Sequence, residues 1–195
     1  MSKPFVVGFM GYAGVGKTTA ARLLASYFNY NRVGVTSFAV PLKQAVQQLF
    51  LFSDKQVYGT KEDKEAIDPR WGVSARQVLQ IVGTDCLRNM IDSKFHVKRM
   101  AAYLEQCQSK VVIIDDIRFE DEAELVNQYG ACFQIQRPGF PKKAVRHASE
   151  YPPVKLASGY YILNNQPDEA GYAKQLISNN AYLRVLIEEK LNETR

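Results

Sequence analysis

The chain has 195 residues, 46% of them hydrophobic, and a formal net charge of +5. That suffices for one globular domain with its own core, and no apolar run approaches the ~18 residues of a membrane span. Cys86, Cys107 and Cys132 lack the spacing of a disulfide framework or a zinc site, and the N-terminus lacks a signal-peptide layout, so a reducing, cytoplasmic setting is expected.

In chain order, Phe5-Val6-Val7-Gly8-Phe9-Met10 reads as a strand and Ala20–Ala25 as part of a helix. Between them stands Gly11-Tyr12-Ala13-Gly14-Val15-Gly16-Lys17-Thr18, the pattern G-x-x-x-x-G-K-[ST] in its required strand–loop–helix setting. Glycines open conformations closed to other residues and bring backbone N–H groups close to phosphate oxygens. The helix that follows adds unpaired N–H donors and the positive end of its dipole. Gly11, Ala13, Gly14, Val15, Gly16, Lys17, Thr18 and Thr19 are therefore the candidate nucleotide-binding residues. Lys17 is aimed at the β- and γ-phosphates, Thr18 at Mg²⁺ and Thr19 at the α-phosphate. ATP and Mg²⁺ are the expected cofactors.

Val33–Phe38 reads as a second strand, and Pro41 opens a helix through Leu42, Ala45, Val46, Leu49 and Phe50. Residues 53–70, dense in charge, are expected to form a mobile, solvated connection. Ser74 is an N-cap for a helix over Ala75–Ile91. Val78, Val82, Cys86 and Met90 are expected to face the core, and Arg76, Gln80, Thr84 and Arg88 to form a slowly drifting polar face. Gly83 sits in that face at a cost of ~1 kcal/mol against Ala. Two arginines, a glutamine and a helix-weakening glycine suit a reader of phosphate and base.

After an amphipathic helix at about Phe95–Gln106 comes Lys110-Val111-Val112-Ile113-Ile114-Asp115-Asp116, a buried parallel strand ending in acids. Ligands of open α/β sheets bind at such carboxyl ends. Asp115 and Asp116 are thus both candidates to hold the hydration shell of the Mg²⁺ that Thr18 also serves, and Arg118 is placed near the phosphates. A helix over Glu120–Tyr129 is expected to end on Gly130 as its C-cap, followed by a strand at 131–136. Arg137 to Glu150, with His147, reads as a Pro-rich cationic lid whose arginines meet charge on a transferring phosphoryl group. Tyr160–Asn164 is a last strand, and the tail from Asp168 carries Leu176, Leu183, Leu186 and Ile187 at helical spacing.

These pieces resemble the deoxynucleoside monophosphate kinases of bacteriophages, within the P-loop nucleoside monophosphate kinase fold. The matching blocks are the loop Gly11–Thr18, Ser37–Lys43, Trp71–Arg76, Leu79–Thr84 with Arg88, Asp116-Ile117-Arg118-Phe119 with Glu122, and His147–Glu150. The resemblance implies a P-loop NTPase three-layer α/β/α architecture with a mainly parallel five-stranded sheet, monophosphate-binding helices and a lid. One domain is expected over residues 1–195, with the monophosphate-binding insertion at about 40–107 and the lid at about 137–153. It further implies transfer of the ATP γ-phosphoryl to a deoxynucleoside monophosphate (dNMP), with Trp71, Arg76, Gln80 and Arg88 lining the acceptor site. Lys43, Arg70, Gly83 and Thr84 complete the substrate-binding candidates, and Lys17, Arg118, Arg137 and Glu150 are the catalytic ones. Val40 departs from the family's Phe-Ala-Asp-Pro-Leu-Lys pattern, which leaves a carboxylate role there to another residue such as Glu150. The partner expected is a small dNMP, with no nucleic-acid polymer and no membrane; a homodimer stays open, and so does the host cytoplasm as the location.

Two other readings use the same loop. One changes the acceptor to dephospho-coenzyme A, phosphomevalonate or a similar metabolite, against which Trp71 and Gln80 argue mildly. The other is a nucleic-acid-stimulated ATPase, against which the scattered basic residues argue, with no stacking platform among them.

Overall fold

The structure is a computed structural model that describes residues 3–139 and 160–193. The chain divides into two compact units, residues 1–37 with 99–195, and residues 38–98.

The first unit is built on an all-parallel sheet of five strands. They are β1 (Phe5–Met10), β2 (Val33–Thr36), β5 (Val111–Ile117), β6 (Gly130–Gln136) and β7 (Tyr161–Leu163), in the order β2-β5-β1-β6-β7. Alternation along the strands sends Val7, Phe9, Val111, Ile113, Phe133 and Ile135 into one apolar cluster. Helices α1 (Lys17–Phe28), α8 (Glu169–Ser178) and α9 (Ala181–Asn192) cover it through Leu24, Phe28, Leu176, Leu183 and Ile187. Helix α7 (Glu120–Tyr129) packs on the opposite face, where its Val126 lies beside Gly8 and Cys132, giving three layers. Burial pushes the Cys132 thiol up to about 12, so this cysteine is an inert packing group. The Lys110 ammonium and the Arg32 guanidinium both donate to the Leu191 carbonyl, satisfying the last turn of α9.

Gly130 ends α7 as its C-cap, as expected, its N–H donating to the Val126 carbonyl; it does so with an extended φ (178°), not a left-handed one, and also opens β6. A Cβ there would lie 2.0 Å from the Val6 carbonyl oxygen, so strand contact demands a glycine at this helix end.

The second unit holds α2 (Val40–Phe50), α3 (Asp54–Tyr58), α4 (Lys61–Glu65), the hairpin β3 (Ile67–Asp68) with β4 (Val73–Ser74), and α5 (Ala75–Gln80). Val46, Phe52, Val57, Ala75 and Val78 form its core. Residues 53–70 are therefore structured, contrary to the mobile connection expected. Ser53 with Gln56 and Thr60 with Asp63 form reciprocal capping boxes that start the two short helices. Buried Asp68 ties the hairpin by accepting from the Arg70 guanidinium (2.7 and 3.0 Å) and from Gln56 Nε2 (2.9 Å). These bonds, Arg70's first, hold the Asp68 carboxyl well below the usual carboxylate range.

A second correction concerns the helix over Ala75–Ile91. It is α-helical to Gln80 and then a π-helix over Ile81–Ile91. Hydrogen bonds of i→i+5 type widen the turn, so a four-residue repeat drifts round the helix in the opposite sense to that expected of an α-helix. Val78 is buried and Val82 packs on the core, but Met90 is 81% exposed, while Gly83 and Thr84 are buried. Helix α6 (Phe95–Gln106) follows, with Met100 and Leu104 buried.

Candidate active site

The sheet order reverses at β1. The chain leaves β1 through α1 toward β2 on one side, and leaves β5 through α7 toward β6 on the other. The carboxyl ends of β1 and β5 thus border the crevice where open α/β sheets bind ligands. Both sequence motifs of the first unit arrive there.

After β1 the loop takes three positive φ values, at Gly11 (141°), Gly14 (87°) and Gly16 (103°). Gly16 is the N-cap of α1 and makes no side-chain cap, so the first N–H groups of that helix are left to face the loop. Gly16 has no room for another residue: a Cβ would lie 2.6 Å from Asn164 Nδ2 and 3.2 Å from the Tyr172 ring. Ala13, Gly14 and Thr18 are exposed, while Val15 is buried under the loop and packs in the main core.

Lys17 folds over its own loop. Its Nζ donates to the carbonyls of Gly11 (2.8 Å) and Tyr12 (2.9 Å). Burial, reinforced by the Arg118 guanidinium, pulls the ammonium down to about 8, against the opposing pull of Asp115 and Asp116. Lys17, Arg118, Asp115 and Asp116 are thus within electrostatic reach of one another. Both aspartates are half-buried near the end of β5, and Arg118 is exposed just beyond it. The turn carrying Arg118 is fixed by buried Glu122, whose carboxylate accepts from the backbone N–H of Arg118 (2.8 Å) and of Phe119 (3.2 Å). Among the described residues no three acids, histidines or cysteines form a metal cage. One or two carboxylates and a hydroxyl nevertheless match how Mg²⁺ is held, since it keeps several waters and leans on phosphate oxygens.

In the second unit, Trp71 has its indole N–H tied to the Phe50 carbonyl (2.8 Å) and its ring against Phe50 at 74°, leaving the residue 45% exposed. Lys43 holds its ammonium 5.2 Å from the centre of the Tyr58 ring. Arg70 is committed to Asp68 and the Leu51 carbonyl (3.1 Å), and Arg76 lies 3.8 Å from Glu65. Gln80 ends the α-helical part, and Thr84 and Arg88 lie within the π-helix. The space a Cβ would need at Gly83 is taken by Leu42 (2.5 Å), and the Gly83 carbonyl accepts from His96 Nε2 at 2.9 Å. Arg137 is exposed at the end of β6; Glu150, His147 and the lid beyond residue 139 lie outside the described residues.

From sequence, Glu122 stands out only as part of the Asp116–Phe119 block and is given no role, and Asn164 does not stand out as functional at all. Glu122 stands four residues after Arg118 at the head of a helix, a readable capping signal. For Asn164 the sequence offers only its place as the last residue of the expected final strand.

The model of the deoxynucleotide monophosphate kinase family matches residues 14–169. The chain belongs to the deoxynucleotide monophosphate kinase family. A protein of Acanthamoeba polyphaga mimivirus, provisionally named a deoxynucleotide monophosphate kinase, is 36% identical over 186 residues, covering 89% of this chain and 94% of that protein. Among solved structures, the dephospho-CoA kinase of Campylobacter jejuni superposes with a TM-score of 0.45 at 13% identity, over 94% of this chain and 98% of its own. Thymidylate kinase of Ehrlichia chaffeensis does so at 0.41 and 15%, over 91% and 99%. Both are too remote to bear on the chemistry. The family membership makes the chain a phosphotransferase acting on deoxynucleotide monophosphates, and no helix among the described residues is long and apolar enough to cross a membrane.

Proposed function

We propose that this kinase moves the γ-phosphoryl group of Mg·ATP to a dNMP, giving the deoxynucleoside diphosphate and ADP. The observation that carries this reading is the glycine loop closing on Lys17 within electrostatic reach of Asp115, Asp116 and Arg118.

In this reading the loop amides from Gly11 to Thr19 grip the triphosphate, and Lys17 exchanges its two carbonyl partners for β- and γ-phosphate oxygens. Thr18 with Asp115 or Asp116 would hold Mg²⁺, which when bound neutralises phosphate charge. Arg118, held in place by Glu122, and Arg137 meet charge that builds on the transferring group. The acceptor phosphate is already an anionic nucleophile, so no strong base is needed and positioning does most of the work. That fits a chain with Val40 where a carboxylate would otherwise stand.

Residues 38–98 serve as the acceptor-binding unit. The exposed face of Trp71 offers a stacking surface for a base, Gln80 an amide for its edge, and Arg76 and Arg88 cations for its phosphate. Arg70 contributes through the hairpin it ties, by keeping Trp71 in register next to it. The enzyme works in the cytoplasm on a small-molecule substrate.

A coupled ADP-release assay with each common dNMP, run beside Lys17→Ala, tests the proposal. Activity on at least one dNMP that Lys17→Ala abolishes is expected; no turnover of any of them above that control refutes it.

A further inference from the structure

The Asn164 side chain lies where no phosphate chemistry was assigned, yet it touches the loop twice. Its backbone N–H donates to the Gln136 carbonyl (2.8 Å), which pins the residue to the carboxyl end of β6. Its amide is buried, at 5% exposure, and Nδ2 donates to the Val15 carbonyl at 2.8 Å. The same nitrogen fills the space beside Gly16, with the Tyr172 ring as its neighbour there. Around it, Asn165 Oδ1 accepts from Gln166 Nε2 (2.9 Å) and Gln175 Nε2 (2.8 Å), and Asp168 caps α8, so the segment is anchored to that helix.

A trans peptide is planar, and its N–H points opposite to its C=O. When the Val15 carbonyl is drawn back toward Asn164, the Gly16 N–H of the same peptide is turned toward the opposite side. A buried carbonyl keeps its partner because losing it is costly, so this peptide cannot easily flip. We propose that Asn164 is a positioning residue: by holding the Val15–Gly16 peptide in one orientation, it keeps the Gly16 N–H available to the triphosphate. Tyr172 serves as the wall against which that peptide is held. The inference rests on the loop being the triphosphate site, as read above.

The test is Asn164→Leu, which keeps the shape and removes the donor, alongside Asn164→Asp, which sets an acceptor against the Val15 carbonyl. Affinity for Mg·ATP and for Mg·tripolyphosphate is measured by calorimetry, and KM is measured for ATP and for the acceptor. Both variants are expected to weaken the two polyphosphates about tenfold, the size of one buried hydrogen bond, with acceptor KM changed less than twofold. Loss for tripolyphosphate as well as ATP ties the effect to the phosphates and not to the base. Unchanged polyphosphate affinity, or equal losses for ATP and acceptor, overturns the role. Should Asn164→Leu fail to fold by circular dichroism, Asn164→Ser, too short to reach Val15, must give the same split or the role is overturned. Lys17→Ala separates the two readings. If it abolishes tripolyphosphate binding while the Asn164 variants do not, only the Asn164 role fails; if it leaves binding intact, the triphosphate reading fails and the Asn164 role with it.

Discussion

Lys17 is expected to set an alkaline limit on nucleotide capture. Burial holds its ammonium at about 8, against an ordinary value of 10.5. With a value of about 8, roughly nine-tenths of the free enzyme is protonated there at pH 7 and roughly one-tenth at pH 9, so kcat/KM for ATP should fall about tenfold over that span. At saturating ATP the phosphates hold the proton on, and kcat should stay level over the same range. Stability carries the opposite sign. Between pH 8 and 10.5 the unfolded chain binds more protons than the folded one, so stability rises with pH through that window. The drop from 10.5 to about 8, at ~1.36 kcal/mol per pH unit, sets a ceiling of about 3 kcal/mol, and the partly open loop reduces this to ~1–2 kcal/mol. The assays are initial rates with the acceptor saturating, and urea melts at pH 7.5 and 10.5 on the parent and on Lys17→Met. A kcat/KM for ATP that stays flat to pH 9.5, with a stability rise equal in Lys17→Met, would refute the reasoning.

Other outcomes follow from the same contacts. Arg88→Ala should raise KM for the dNMP or lower kcat while leaving ATP binding nearly intact; similar losses for both substrates in steady-state kinetics would make Arg88 structural. Arg70→Ala should lower the unfolding midpoint, because Asp68 stays buried without its main partner. The folded Asp68 carboxyl titrates below its unfolded value, so that stabilisation is present above about pH 3.8 and is lost as the pH falls below it. The gap between parent and Arg70→Ala should therefore close in melts taken below pH 3.8. Gly130→Ala drives a methyl against the Val6 carbonyl in the centre of the sheet, and should cost about 3 kcal/mol or more. A melt within 1 kcal/mol of the parent would show that β1 and β6 can part there at little cost.

The first unit was legible because its elements follow simple rules. The strand Phe5–Met10 and the stretch Val111–Ile114 of β5 are unbroken apolar runs that a parallel sheet buries on both faces, and the helices between them carry plain apolar stripes. The loop was legible because its chemistry fixes the residue types. Asn164 was not, since its role depends on a bond that spans 149 residues, and no local pattern encodes such a partner.

The second unit resisted for a different reason: its order comes from polar side chains, and polarity in sequence reads as solvent. Ser53, Gln56, Thr60 and Asp63 are ordinary loop residues until each is seen to satisfy another's backbone N–H. Asp68 looked like one charge among many, yet it is among the least exposed acids and organises Gln56 and Arg70. The π-helix is harder still, because a stripe repeating every four residues suits a slowly drifting α-helix equally well. The missing side chain at Gly83 lets Leu42 fill the space where a Cβ would stand, and the Gly83 carbonyl takes a further donor from His96. Wide winding sends Met90 outward and turns Thr84 inward. The π-helix thus runs through the residues proposed to read the acceptor, and Leu42 of α2 and His96 of α6 both meet it at Gly83.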